Sequence, residues 1–242
     1  MDRRRDRLSA AHLYLVCDQR PDAFLQAALR GGVDVVQLRI KGGSDEETVA
    51  AARRFASVCA EHEALFILND RPDLAAEVGA DGVHVGQDDV SVAHARRILG
   101  PDRIVGLSTH SPAQVDAAAR PEAAGKVDVA ARPEVAAQVD AAVEADYIGV
   151  GPVHETPTKP GRPPVGLELV RYAARSPIAI PWFAIGGIDA ANLRAVREAG
   201  ARRIAVVRAL TRSSDPELAA RELRAAILGE AGQIRAPVGA AQ

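Results

Sequence analysis

The 242-residue chain is poor in aromatic residues (3%), in sulfur (two cysteines, one methionine) and in net charge (−2). Each shortage closes off a class of function. So few aromatics leave no surface on which nucleic-acid bases would stack. Basic residues cluster only near the N-terminus, so there is no electrostatic footprint for nucleic acid. Cys17 and Cys59 fall in apolar stretches without metal-ligand spacing, which reads as two reduced, buried thiols of a cytosolic protein. No apolar run approaches the roughly 20 residues that span a bilayer. The opening MDRRRDRLSA is charged but no apolar segment follows it, so it does not read as a signal peptide. The expectation is a cytoplasmic protein with neither nucleic acid nor membrane as a partner.

What is present is a recurring pattern. Six apolar runs each end in a polar cluster: VVQLRIK (35–41), LFILND (65–70), GVHVGQDD (82–89), IVGLSTH (104–110), YIGVGPVHETPTKPG (147–161) and WFAIGG (182–187). A buried strand has no need of such groups at its end. Delivered by strand after strand at the same end, they converge on one site, as at the carboxyl face of a parallel barrel. Strand-like segments start near 12, 34, 65, 82, 104, 146, 181 and 204. They are short, rich in Val, Ile and Leu, and lack clean alternation, as strands buried on both faces should be. Helical segments alternate with them. Ser44 with Glu47 forms a capping box, Pro72 opens a helix that Gly79 ends, and Ser111-Pro112 with Gln114 repeats the capping logic. Asp189 caps the segment to Gly200, and Asp215-Pro216 starts the last helix, to about Leu228. This predicts a single α/β domain, a (βα)8 TIM barrel over residues 11–228. An open doubly wound sheet is the rival, but no GxGxxG turn follows the first strand.

Between strands five and six the text repeats with a period of twelve residues, from Gln114, Lys126 and Gln138. One copy suffices for a barrel helix. The others read as an Ala-rich tandem expansion, an insertion at about 114–137, with Pro121 and Pro133 breaking any continuous helix. Residues 1–10 and 229–242 read as disordered ends.

Gln37, Arg39 and Lys41 alternate, which puts them on one face of strand two. Two cations over a barrel mouth need an anion, and Arg and Lys are the phosphate-binding side chains. Asn69-Asp70 and Gln87-Asp88-Asp89 close strands three and four. Helix capping is their ordinary reading, but beside Arg39 and Lys41 the carboxylates suit Mg²⁺, which takes one or two carboxylates plus water and substrate phosphate. His84 reads as a core histidine without chemistry. Ser108 can donate to a phosphate oxygen, whereas Thr109 and His110 read equally well as turn residues. The TPTK loop (Thr156, Pro157, Thr158, Lys159) is a stiff anion-binding segment. Gly187 after strand seven, and Val207-Arg208 after strand eight, occupy the usual phosphate position of this fold. The residues thus describe two anion sites at one mouth. One is cationic and metal-bearing, on strands two to five. The other is a backbone cradle on strands six to eight.

In combination and order, QLRIK, LND, GVHVGQDD, GLSTH, GVGPVHETPTKPG and AIGGI resemble the thiamine phosphate synthase family, over about residues 12–228. The resemblance implies a barrel enzyme that condenses 4-amino-5-hydroxymethyl-2-methylpyrimidine diphosphate with a thiazole phosphate, with Mg²⁺ as cofactor and those two small molecules as partners. Self-association is left open. By motif, Gln37, Arg39, Lys41, Asn69, Ser108 and Lys159 would hold the pyrimidine diphosphate, with Arg39, Lys41 and Lys159 catalytic. Asp70 and Asp89 would ligate Mg²⁺. Thr156, Pro157, Thr158, Gly187, Val207 and Arg208 would surround the thiazole phosphate. One departure stands out: the family often has Ser where this chain has Arg208. A thiazole tautomerase-like relative would need no diphosphate–metal apparatus. A non-catalytic precursor-binding protein would be expected to lose a metal carboxylate or the loop lysine. Both remain alternatives, though the complete residue set favours the synthase.

Overall fold

The computed structural model describes residues 3–119, 145–156 and 163–230. Eight parallel strands close into a barrel in sequence order. They are β1 (Leu13–Cys17), β2 (Val35–Leu38), β3 (Leu65–Asn69), β4 (Gly82–Val85), β5 (Ile104–Thr109), β6 (Tyr147–Val150), β7 (Trp182–Ile185) and β8 (Ile204–Val206). All eight expected strands are present, each starting within one residue of its expected position. Among the described residues the helices are α1 (Arg3–Ala10), α2 (Asp22–Arg30), α3 (Asp45–Glu61), α4 (Pro72–Glu77), α5 (Val92–Leu99), α6 (Pro112–Ala119), α7 (Gly166–Arg175), α8 (Leu193–Glu198), α9 (Arg208–Thr211) and α10 (Pro216–Leu228).

Capping chemistry sets several helix starts. Ser44 Oγ accepts from the Glu47 amide (3.2 Å) while Glu47 Oε2 accepts from the Ser44 amide (3.0 Å), which opens α3. Pro72 is the first residue of α4, and Asp215 accepts from the Leu218 amide to start α10. Two details differ from expectation. Gln114 reaches back to the His110 amide (2.7 Å) rather than that of Ser111. Asp189 accepts from the amides of Ala191 and Asn192, closing a turn ahead of α8, which begins only at Leu193.

The register explains how side chains are sorted. Tyr14 pairs with Val35 and Val35 with Leu65; two residues on, Ile67 pairs with Gly82 and Gly82 with Ile104. Two further on, Gly106 pairs with Tyr147; then Gly149 with Phe183; then Ile185 with Ala205, which returns to Tyr14. The circuit closes after four shifts of two residues, the shear of eight that defines this barrel. Because every shift is even, an inward residue stays inward all the way round. Tyr14, Val35, Leu65, Ile67, Ile104, Tyr147, Phe183 and Ala205 therefore form an inner core, separate from the Leu- and Val-rich layer between strands and helices. Three of the chain's few aromatics meet there: the Phe183 ring stands edge-on to Tyr14 and Tyr147, at centroid distances of 5.3 and 5.8 Å. Cys17 and Cys59 are buried in the outer layer, and burial pushes both thiols up, Cys59 to about 12.

The floor of the barrel was not foreseen. One residue before β2, β4 and β6 stands an aspartate, and each accepts from a backbone amide at the start of a neighbouring strand. Asp34 takes the amides of His12 (2.7 Å) and Leu13 (3.0 Å), Asp81 that of Phe66 (3.0 Å), and Asp146 that of Val105 (2.7 Å). Each is matched by guanidinium: Arg224 on Asp34, Arg4 and Arg7 on Asp81, Arg5 and Arg96 on Asp146. Residues 1–10, expected to be disordered, thus supply a helix over residues 3–10. Leu8 is buried to 1% exposure in the inner core, and Arg4, Arg5 and Arg7 bind the floor aspartates Asp81 and Asp146. The insertion boundary also moves. Gln114 to Ala119 belong to α6, where Asp116 accepts from Tyr172 Oη (2.7 Å). The remaining repeat copies and the tail from residue 231 lie outside the described residues.

Candidate active site

The carboxyl ends of the strands surround a cavity of about 520 Å³, within the usual range for a small-molecule site. β2 brings Gln37 to its wall, buried to 4% exposure. The Arg39 amide donates to the Cys17 carbonyl (2.8 Å), which extends the pairing past the end of β2 and keeps Arg39 on the same side as Gln37. Lys41 does not follow them. Gly42 and Gly43, at φ +78° and +98°, turn the chain, and Lys41 is exposed and off the cavity wall. The alternation argument therefore holds for two of the three residues.

β3 delivers Asn69 to the wall. Asp70 follows at φ +63°, with its amide donating to the His84 carbonyl (2.9 Å) and its carboxylate accepting from Asn69 Nδ2. A left-handed aspartate is a strained position of the kind found at functional sites. Asp89 is exposed, and its carboxylate accepts from the Gly86 amide (2.8 Å). Neither carboxylate lines the cavity itself. β5 brings Ser108 and His110 to the wall; Thr109 points away and donates to the Gly149 carbonyl (3.1 Å), a structural role.

The opposite wall is built from β6 to β8. Gly186 and Gly187 have φ of +107° and +62°. A Cβ on Gly186 would lie 2.5 Å from Pro152 Cα, and one on Gly187 2.8 Å from His154 Cβ, so only glycine fits at either position. Asn192 Nδ2 holds the Gly187 carbonyl (2.8 Å) and fixes the turn. Thr156, Val207 and Arg208 share this wall; Pro157, Thr158 and Lys159 lie outside the described residues.

Sequence reasoning missed His84, Asp189, Arg212 and Ser213 on the cavity wall. His84 shares the inward parity of Gly82, which a period-two reading of GVHVG would have found. Arg212 follows Arg208 by one helical turn, its amide bonded to the Arg208 carbonyl (3.1 Å). Among the described lining residues Asp189 is the one carboxylate, and it is engaged by backbone amides. Arg39, Arg208 and Arg212 form no ion pair with another described residue. The cavity is therefore a cationic bowl, with guanidinium on both walls and its acid already committed. It suits a ligand, or a pair of ligands, with anionic groups at two ends.

The family model described as "Thiamine monophosphate synthase" matches residues 13–210. The chain belongs to this family. It is similar to the thiamine-phosphate synthase of Acidothermus cellulolyticus, at 47% identity over 93% of this chain and 98% of that protein. Similarity to the thiamine-phosphate synthase of Thermus thermophilus is also 47%, covering 90% of this chain and 98% of that one. Among solved structures it matches a thiamine phosphate pyrophosphorylase from Pyrococcus furiosus, with a TM-score of 0.73, 32% identity, and coverage of 94% and 99%. The family match spans all eight strands, from Leu13 of β1 to Val206 of β8.

Proposed function

We propose that this enzyme joins 4-amino-5-hydroxymethyl-2-methylpyrimidine diphosphate to a thiazole phosphate, giving thiamine phosphate and diphosphate. The observation that supports this reading best is the division of the bowl. One wall has Gln37, Arg39, Asn69 and Ser108, and the facing wall has the Gly186-Gly187 turn with Val207, Arg208 and Arg212. Two anionic substrates need two such walls, and a condensation needs them facing.

The pyrimidine diphosphate belongs on the first wall. Gln37 is buried beside Arg39 and offers an amide to the pyrimidine edge, while Arg39, Asn69 and Ser108 donate to the diphosphate, with Lys41 adding charge; by motif, Lys159 would add to it. The thiazole phosphate belongs on the second wall. There the glycines bare their amides, Thr156 edges the site, and Val207 and Arg208 close it; by motif, Pro157 and Thr158 would serve the same phosphate. The substituent at residue 208 suits the role: a guanidinium over the cradle adds charge that serine lacks. Asp70 and Asp89 are the residues that would hold Mg²⁺, since two carboxylates from neighbouring strand ends match the few protein ligands this ion takes. When bound, the ion neutralises charge on the diphosphate.

The chemistry then follows from charge placement. The C–O bond to diphosphate breaks and its electron pair leaves with the diphosphate oxygen. Arg39, Lys41, Lys159 and the Ser108 hydroxyl stabilise that growing charge. The electron-rich aminopyrimidine supports the benzylic-type cation left behind. The thiazole nitrogen, held opposite, donates its lone pair to form the C–N bond and becomes the thiazolium nitrogen. No protein nucleophile is needed. Incubation with both substrates and Mg²⁺ should give thiamine phosphate and diphosphate by mass spectrometry, and omission of either substrate should abolish both. Release of diphosphate without thiamine phosphate, or no reaction at all, would refute the assignment.

A further inference from the structure

A chain of hydrogen bonds runs from the inner core to the cavity. Tyr14 Oη lies 2.8 Å from Tyr147 Oη, Tyr147 Oη lies 3.0 Å from His84 Nδ1, and His84 Nε2 lies 3.0 Å from Ser108 Oγ. Both tyrosines are buried in the inner core, and His84 and Ser108 line the cavity. Gly106 makes the room: a Cβ there would sit 2.1 Å from Tyr147 Cζ and 2.5 Å from its Oη. Burial pushes both phenols up, so each keeps its proton.

Proton counting gives the chain a direction. Tyr14 has one hydroxyl proton, and its one hydrogen-bonding neighbour among the described residues is Tyr147. Were Tyr14 the acceptor, its own O–H would be buried with nothing to receive it, which protein interiors rarely tolerate. Tyr14 therefore donates to Tyr147. The Tyr147 proton then turns to His84 Nδ1, its remaining acceptor. Nδ1 must present a lone pair, so the neutral ring has its proton on Nε2, and Nε2–H donates to Ser108 Oγ. With that lone pair filled from behind, the Ser108 proton has the cavity as its outlet. Reversed, the chain would draw that proton inward and show an anion only oxygen lone pairs.

We propose that Tyr147 and His84 are positioning residues that fix the Ser108 hydroxyl as a donor aimed at an oxygen of the departing diphosphate. This rests on the reaction proposed above. Its interaction grows as charge builds on the leaving group, so it belongs in kcat rather than KM.

The test has a readout that needs no substrate. In protein labelled with ¹⁵N-histidine, the His84 resonances, assigned by their loss in His84→Gln, should show a protonated Nε2 and an unprotonated Nδ1. Tyr147→Phe keeps the ring but removes the donor, so a mixture of tautomers should appear. In that variant kcat should fall about ten-fold while KM for the pyrimidine diphosphate stays within about two-fold. Tyr14→Phe leaves the Tyr147 proton the same single acceptor, so its loss should be the smaller. In a Ser108→Ala background, Tyr147→Phe should cost less than about two-fold, since no hydroxyl is left to aim. A packing role would lower the rate equally in both backgrounds. That outcome, or a protonated Nδ1 in the wild type, would overturn the proposal. If the wild type forms no thiamine phosphate, the functional reading fails, while the tautomer still decides the direction of the chain.

Discussion

Asp146 offers the sharpest test of the barrel floor. Its carboxylate accepts from the Val105 amide (2.7 Å), from Arg96 Nη2 (2.5 Å) and from Arg5 Nε (2.7 Å). The Asp146 and Arg96 side chains are 11% and 15% exposed, whereas Arg5 is 38% exposed. Removing one member of a buried pair typically costs about 3–5 kcal/mol. The exposed Arg5 contact adds at most about 1 kcal/mol after solvent screening. The Val105 amide bond is worth about 1.5–3 kcal/mol, but it shares the same carboxylate, so the contributions overlap rather than add. Arg96 keeps its bonds to the carbonyls of Gly100 and Arg103, which softens the loss. Asp146→Ala should therefore destabilise the fold by about 4 kcal/mol. At about 2–4 °C per kcal/mol for a domain of this size, that lowers Tm by about 8–16 °C. Asp146→Asn keeps an acceptor for the amide and should lose about half as much. Urea unfolding followed by circular dichroism, with the slope unchanged, measures both. Turnover at 25 °C should be unaltered, because the floor is the face opposite the mouth. A loss below about 1 kcal/mol for the alanine variant would show that water replaces the carboxylate, and that the repeated aspartates do not clamp the strands.

Asp70→Ala and Asp89→Ala should each abolish Mg²⁺-dependent turnover while circular dichroism stays native; near-normal rates in both would mean the ion binds elsewhere. Arg212→Ala should raise KM for the thiazole phosphate about ten-fold and leave that for the pyrimidine diphosphate unchanged, since Arg212 stands on the β8 wall; steady-state kinetics with each substrate varied separates the two. Deleting the twelve-residue copy Lys126–Ala137 should leave kcat within a few-fold, because loop-closure entropy changes slowly with length; loss of activity or of soluble protein would assign the copy a structural task.

Strand positions were legible because a strand buried on both faces must be a short Val, Ile and Leu run, and because the polar residues at its end have no structural excuse. Gln37, Asn69, Ser108, Gly187 and Arg208 all reach the cavity on that logic. Lys41 failed because period two was extended past the end of β2, where Gly42 and Gly43 change the path. His84 was hidden because one histidine amid apolar residues looks like packing; its meaning comes from Tyr147 and Ser108, distant in sequence and adjacent only after closure. The N-terminal arginines misled for a related reason. A charged segment reads as solvated until its counter-ions are known, and Asp81 and Asp146 are far along the chain.

The even shifts that close the barrel also set which lengths of sequence the protein can tolerate. Inside a strand the chain is counted in pairs: one residue gained or lost in β3 would turn Asn69 from the cavity toward the helices and bring its neighbour in. In the long connection between β5 and β6 no such pairing is counted. The repeated copies fall between Thr109, where β5 ends, and Tyr147, where β6 begins, so twelve residues, or thirteen, can enter there without changing which side chains face the bowl. The barrel thus divides its own sequence into strands, where length is locked and Gln37, Asn69 and Ser108 are held toward the bowl, and the β5–β6 connection, where duplication can accumulate.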